Sequence, residues 1–228
     1  MTRGRVLLGI DFDGTLAPLV EDPADSVPNE RGVELLAALA GRPNITVVVV
    51  SGRAHRDLAK RLGPVPGVTL IGEHGNDTGA ERPPSPIVAD ATRFFEVLRG
   101  ESDAVIETKA SSVTFHTRRL TDEEKREAAE SIRIWAAEHP ETTLLRGKEV
   151  LELTVANRTK GDAIRELADT ADGVIYIGDD ATDETVFAVL HPDDVGIKVG
   201  TGPSAARFRV ADVSEVVELL EVAALASS

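Results

Sequence analysis

There is no cysteine among the 228 residues, which removes disulfides, a thiolate nucleophile and cysteine-based zinc sites together. Aromatic residues are scarce at 4%, against 42% hydrophobic overall, so the core must be built mostly from Val, Leu, Ile and Ala. No apolar run is long enough to span a bilayer, and the N-terminus lacks the apolar stretch of a signal peptide. A cytoplasmic protein with no membrane partner is expected. Positive charge is also short: 25 Lys and Arg face 39 Asp and Glu, a formal net charge of −14. Nucleic-acid binding would need a basic footprint, and none stands out. An anionic ligand would need local cations or a metal to overcome that field.

What is present is a repeated design. "RVLLGI" runs into Asp11, "NITVVVV" into Ser51, "GVTLIG" into Glu73 and His74, and "GVIYIG" into Asp179 and Asp180. Short continuous apolar runs rich in β-branched residues suit strands covered on both faces. Between them lie helical patterns. "NERGVELLAALAGR" offers Asn29 as an N-cap and Gly41 as a stop. "TKGDAIRELADTADG" places Ile164, Leu167 and Ala168 on one face and runs to Gly173, and "ATDETVFAVLH" and "VSEVVELLEVAALA" complete the set. Strands alternating with helices predict an α/β core, doubly wound around a mostly parallel, Rossmann-like sheet.

The middle of the chain follows another rule. After the punctuation of "GAERPPSP", apolar residues alternate with polar ones. In "VTFHTR", Val113, Phe115 and Thr117 oppose Thr114, His116 and Arg118; in "VLELTV", Leu151, Leu153 and Val155 oppose Glu152 and Thr154; "AVIETK" puts Glu107 and Lys109 together. Half-buried antiparallel strands give this alternation. "ADATRFFEVLRG" and "TDEEKREAAESIRIWAAEH" would cover the apolar face, the second opening with a Thr121–Glu124 capping box. The predicted organisation is a core of residues 1–79 and 159–228 with an inserted α+β module over 80–158.

Function-bearing residues gather at the strand ends: Asp11 and Asp13, Ser51 and Arg53, then Asp179, Asp180 and Asp183. Ligands of open α/β sheets sit outside the carboxyl ends of the strands. On an extended strand Asp11 and Asp13 point the same way, and two like charges there repel. Several carboxylates at one edge need a counter-charge; oxygen-only ligation suits Mg²⁺, and Lys160 is the best additional cation. Acidic cluster, hydroxyl, lysine and Mg²⁺ together make a phosphoryl-transfer kit. Each part alone has an ordinary alternative. "DFDGT" could be a surface turn, although an EF-hand fails because Leu16 and Asp22 stand where Gly and Glu are needed. Ser51 could be a turn residue, and Lys160 a solvated lysine, although a cation at a helix start opposes the dipole.

"DFDGTL", Ser51, Lys160 and "GDDATDE" resemble, in order, the four motifs of the haloacid dehalogenase superfamily of phosphatases. "SGRA", "GEHG", "ETKASSVTFHTR" and "GKEVLEL" further resemble its trehalose-6-phosphate phosphatase family. The resemblance implies that Asp11 attacks phosphorus and binds Mg²⁺, that Asp13 acts as acid and base with its carbonyl on the metal, and that Asp179 is a metal ligand. Asp180 and Asp183 would support metal-bound water or Lys160, while Ser51 and Lys160 bind phosphoryl oxygens. Gly14 would let backbone amides approach the phosphate, with Arg53 and His74 as further substrate contacts. In the inserted module, here a cap, Glu107, Lys109, His116, Arg118, Gly147, Lys148 and Glu152 would form a polar sugar-binding face; the alternative is that they simply face water. Two departures are visible: "LTVANRTKG" stands where the family often has Arg-Pro, and "GEHGNDTGAERPPSP" is unusually polar.

The expected protein is thus a monomeric, Mg²⁺-dependent phosphatase of a phosphorylated sugar, foremost trehalose 6-phosphate. Another (pseudo)disaccharide phosphate, sucrose phosphate and glycosyl-phosphoglycerate are rival substrates, and a phosphomutase or a phosphoacceptor signalling domain are rival functions. "VGTGPSAARF" has a dinucleotide-like spacing at Gly200, Gly202 and Ala205, but it reads better as a turn feeding a helix. His55, His139 and His191 lack ligand spacing and are expected at the surface.

Overall fold

The computed structural model describes residues 4–80, 83–147, 149–155 and 158–226. In chain order its strands are β1 Val6–Ile10, β2 Ile45–Val50, β3 Val68–Ile71, β4 Val105–Thr108, β5 Ser112–His116, β6 Thr143–Gly147, β7 Val150–Thr154, β8 Gly173–Gly178, β9 Val195–Val199 and β10 Phe208–Val210. The helices are α1 Glu30–Ala40, α2 His55–Leu62, α3 Pro86–Arg99, α4 Asp122–Glu138, α5 Lys160–Ala168, α6 Glu184–Phe187 and α7 Val213–Ala226. The chain divides into two compact units: Met1–Gly79 with Arg158–Ser228, and Ala80–Asn157.

The first unit is a six-stranded parallel sheet in the order β10-β9-β8-β1-β2-β3. Its apolar runs are continuous because both faces are covered. Leu8, Ile10, Val47, Val49 and Ile177 pack with Leu35, Leu36 and Leu39 of α1, Leu58 of α2, and Val216 and Leu220 of α7. Leu7, Val48, Val50, Val174 and Tyr176 face the other way, onto Ala163 and Ile164 of α5 and Val186 and Phe187 of α6. Each such side chain, fully buried, contributes about 1.5–3 kcal/mol. Asn29 caps α1 by accepting from Gly32 N at 3.0 Å, and Gly41 ends it.

The second unit is an antiparallel sheet, β4-β5-β7-β6, with α3 and α4. Val113, Phe115, Leu151 and Leu153 point to one face and pack with Val88, Ala91 and Phe95 of α3 and Ala128 and Ile132 of α4. The Thr121–Glu124 capping box opens α4 as the spacing predicts. Pro86 is the first helical residue of α3, after Ser85 as N-cap, a position where its missing N–H costs nothing.

Several expectations are corrected. Helix α5 stops at Ala168 and Gly173 belongs to β8, because Asp169 and Thr170 close the helix, Thr170 Oγ1 bonding back to Leu167 O. "ATDETVFAVLH" yields only the four residues of α6, since the chain first winds through a turn in which Asp180 accepts from Thr182 and Asp183. "VGTGPSAARF" feeds strand β10, not a helix; with Gly200 and Gly202 at positive φ it is a loop. Of the histidines only His191 is exposed; His55 and His139 are half-buried, and the ring of His139 stacks on Trp135. Among the described residues, no helix is long and apolar enough to cross a membrane.

Candidate active site

The strand order reverses between β1 and β8: the chain builds outward from β1 through β2 and β3, then from β8 through β9 and β10 on the opposite side. Such a reversal opens a crevice at the carboxyl ends of the strands. Asp11 follows β1 there and Asp179 follows β8, and Asp11 N donates to Ile177 O at 2.9 Å.

Lys160 is delivered to this edge by its helix. Thr159 and Asp162 form a capping box that makes Lys160 the first residue of α5. Its side chain is 1% exposed, and its Nζ donates to Asp11 Oδ1 at 2.8 Å and Asp183 Oδ1 at 2.9 Å. Asp180 is 3.8 Å away, and the Tyr176 hydroxyl donates to Asp183 Oδ1 at 2.7 Å. A cation in a first helical turn opposes the helix dipole, so these carboxylates must offset that penalty. Burial alone would discharge the lysine, but Asp11, Asp183 and Asp180 hold its ammonium above the ordinary range.

The carboxylates respond unequally. Burial raises Asp11 well above the carboxylate range, and Lys160 only partly opposes this. Burial also lifts Asp179, to about 6, with Asp183 and Asp180 adding to it and Asp11 and Lys160 acting against. Asp183 is raised by burial, against Lys160. Asp180 goes the other way, to about 2: burial is outweighed by Lys160 and by hydrogen bonds from Thr182 and Asp183. Two glycines make the space. A Cβ on Gly14, whose φ is +81°, would fall 2.1 Å from Asp179 Oδ2, and one on Gly178 would fall 2.2 Å from Asp183 Cγ. Gly14 thereby makes room for the Asp179 carboxylate.

Asp11, Asp179 and Asp183 each offer an oxygen within 4.8 Å of the others. Three carboxylates, Asp11, Asp180 and Asp183, lie within 4 Å of the Lys160 ammonium, and Asp179 stands beside Asp11 and Asp183. An all-oxygen donor set with uncompensated negative charge fits a hard divalent cation. Asp183, expected only in a supporting role, joins Asp11 and Asp179 in this side-chain grouping; the expected contribution of Asp13 is its main-chain carbonyl.

Asp13 is occupied elsewhere. Strand β1 ends at Ile10, and the chain folds into a turn in which Leu16 N and Ala17 N bond to Phe12 O, so the extended alternation assumed for Asp11 and Asp13 is not kept. Asp11 meets Lys160, while Asp13 meets Arg53 through two 2.7 Å bonds. Each like charge thus has its own cation. Ser51 is buried at the end of β2, its Oγ accepting from Arg53 N at 3.1 Å, and its carbonyl accepts from His74 N at 2.9 Å. His74 has φ 55°, and its ring lies so close that a Cβ on Gly52 would sit 2.5 Å from His74 Cε1.

A family model described as trehalose-phosphatase matches residues 9–214. The chain belongs to the trehalose-phosphatase family, within the haloacid dehalogenase superfamily. It is 36% identical over 232 residues to a bifunctional trehalose-6-phosphate synthase/phosphatase of Thermoproteus tenax, covering 95% of this chain and 32% of that one. It is 32% identical over 202 residues to a trehalose-phosphate phosphatase of Mycobacterium avium, covering 79% and 50%. The chain thus spans from a third to a half of the length of these relatives. Among solved structures, a trehalose-6-phosphate phosphatase related protein aligns with TM-score 0.78 and 27% identity over 96% of this chain and 97% of that one. The C-terminal domain of the C. albicans trehalose-6-phosphate phosphatase shares the fold, with TM-score 0.74 at 22% identity over 97% and 92%.

In this member of the trehalose-phosphatase family, the antiparallel sheet aligns Glu107, Thr114 and Glu152 in one row across β4, β5 and β7. His116 Nε2 lies 3.2 Å from Glu107 Oε2 on the same face. Lys109 and Arg118 fall just beyond the ends of β4 and β5, and Gly147 closes β6; Lys148 lies outside the described residues. Sequence reasoning missed Tyr176, Lys198, Ser26, Asp57 and Arg61. Lys198 is buried and donates to the carbonyl of Asp179. Tyr176 and Lys198 each interrupt an apolar strand run, the same signal that exposed Asp11. Arg53, Asp57 and Arg61 recur every four residues, which is legible as one helical stripe.

Proposed function

We propose that this protein hydrolyses trehalose 6-phosphate to trehalose and phosphate, a Mg²⁺-dependent phosphoric monoester hydrolysis through a phospho-Asp11 intermediate. The observation that carries the reading is Lys160 bridging Asp11 and Asp183 at the sheet's reversal point, with Asp179 alongside. Asp11 forms a bond to phosphorus as the bond from phosphorus to the sugar oxygen breaks, and the Asp13 carboxyl gives that oxygen its proton. Asp13 then takes a proton from water as the water oxygen attacks phosphorus and releases Asp11. Asp11, Asp179 and Asp183 would hold Mg²⁺, which when bound neutralises negative charge on the phosphoryl group. Lys160 and Ser51 would orient phosphoryl oxygens.

Sugar recognition belongs, on this reading, to Glu107, Lys109, His116, Arg118 and Glu152 of the second unit. Their mixed donors and acceptors suit a ring of hydroxyls. A signalling receiver is disfavoured by topology: that fold runs 2-1-3-4-5, whereas here β1, β2 and β3 lie in sequence on one side of β8. The test is phosphate release from a panel of sugar phosphates, with Mg²⁺ and with chelator. Preferential turnover of trehalose 6-phosphate that chelator abolishes is expected. Preference for sucrose phosphate or glycosyl-phosphoglycerate would overturn the substrate, and insensitivity to chelator would overturn the metal.

A further inference from the structure

Arg53 stands where a substrate-binding cation was expected, yet its guanidinium is nearly saturated. Of five N–H donors, Nε and one of Nη2 go to Asp13 at 2.7 Å each, the second of Nη2 goes to Pro23 O at 2.9 Å, and Nη1 goes to Asp57 Oδ2 at 2.9 Å. The guanidinium also lies 5.5 Å over the ring of buried Phe12. Asp13 in turn accepts a third bond, from Ser26 Oγ at 2.8 Å.

Behind this pair is a brace. Asp57 on α2 also accepts from Arg61 Nε at 2.8 Å, and Arg61 Nη1 donates to Ala24 O at 3.1 Å and Ser26 O at 2.8 Å. Burial alone would raise the Asp57 carboxyl, but Arg61 and Arg53 hold it below its usual value. One helix face therefore fixes both the fork that grips Asp13 and the loop that brings Ser26 to it. A planar bidentate fork sets the direction of a carboxylate, which a point charge does not.

We propose that Arg53, held by Asp57 and Arg61, is a positioning residue that orients Asp13 for proton exchange with the leaving oxygen, and that it does not bind the substrate. This rests on the acid–base reading of Asp13. In the first step, which kcat/KM reports, a brace of this kind matters only where the leaving group needs a proton. The sugar alkoxide of trehalose 6-phosphate does; the phenolate of p-nitrophenyl phosphate leaves without one.

The experiment compares kcat/KM on those two substrates for Asp57→Asn, Arg53→Lys and Asp13→Ala, each checked for an unchanged melting temperature. Asp13→Ala should cost about 100-fold or more on trehalose 6-phosphate and far less on p-nitrophenyl phosphate. Asp57→Asn and Arg53→Lys should show the same contrast at about tenfold. Ser26→Ala, which leaves both arginines in place, should show it at about threefold, and serves if either brace variant is unstable. In an Asp11→Asn background, Arg53→Lys should leave the dissociation constant of trehalose 6-phosphate within about twofold. Equal losses on both substrates for the Asp57, Arg53 and Ser26 variants, with the contrast kept by Asp13→Ala, would sink this inference alone; so would a tenfold weaker dissociation constant. Loss of the contrast in Asp13→Ala would remove the acid–base reading and the inference with it.

Discussion

The two units use the same residue types under opposite constraints. In the first, Asp11, Asp183 and Lys160 are buried, so the lysine is forced into short bonds with both carboxylates. In the second, the Glu107 and His116 side chains are 49% and 36% exposed, and water would satisfy either one. An exposed pair of this kind is worth only about 0–1 kcal/mol. Burial therefore dictates geometry in the first unit, whereas desolvation does not fix the exposed Glu107–His116 pair of the second. On the proposed function, chemistry would be built where desolvation leaves no choice, and selectivity where it does.

The sharpest way to break that division is Asp11→Asn beside Glu107→Gln and His116→Ala. Asp11→Asn should lower phosphate release from any substrate by about 10³-fold or more, with the far-ultraviolet circular dichroism unchanged. The two cap variants should each lower kcat/KM on trehalose 6-phosphate by about tenfold and leave p-nitrophenyl phosphate within about twofold. Equal damage on both substrates from the cap variants would erase the distinction.

Stability gives a second contrast. Lys160→Met strands two buried carboxylates and should cost about 3–5 kcal/mol in metal-free urea unfolding. Lys125→Met removes the 2.7 Å pair with Glu149 in the second unit, where both side chains are part-exposed, and should cost less than about 1 kcal/mol.

The same contrast explains what could be read from the sequence. Strands β1, β2, β3 and β8 were legible because a sheet covered on both faces writes a continuous apolar run, and the polar residue that stops it marks the edge. The alternation of β5 and β7 was equally plain. Strand β10 was not, because three residues carry no period and Phe208 and Arg209 are exposed; only pairing with β9 makes them a strand. Asp13 and Arg53 were both singled out, but not their bond, since contact between residues forty positions apart is a tertiary fact. The early end of α5 was hidden because "ADTADG" contains no strong stop before Gly173, and the competing Thr170 bond appears only in three dimensions.

Proton–metal competition sharpens the core side. Asp179 is lifted to about 6 in the folded protein, against an ordinary carboxylate value of 3.8. A folded value above the unfolded one means the folded state holds its proton longer, so metal-free stability falls as pH rises between about 4 and 6. A cation displaces that proton. At a hundred times its dissociation constant Mg²⁺ should stabilise the protein by about 2.7 kcal/mol at pH 7.5. At pH 5 proton competition at Asp179 alone should remove about 1.4 kcal/mol of that, and the raised Asp11 and Asp183 add to the loss. Thermal melts with and without Mg²⁺ at the two pH values read the difference; equal increments would mean that Asp179 is not a ligand.

The smallest effects allow the closest match, because each unit contains a capping box of the same design. Thr121 caps α4 with Glu124, and Thr159 caps α5 with Asp162. Removing either threonine hydroxyl should cost about 1 kcal/mol of stability, the usual value of such a cap. Function should separate them. Helix α4 starts with three acidic residues and carries no group of the proposed site, so Thr121→Ala should leave kcat unchanged. Helix α5 begins with Lys160, whose 2.8 Å bond to Asp11 depends on where that first turn starts. Fraying there moves the ammonium, and Thr159→Ala should lower kcat by about threefold for the same loss of stability. If both variants lose activity in proportion to stability alone, the position of Lys160 is set by its carboxylate partners and not by its helix.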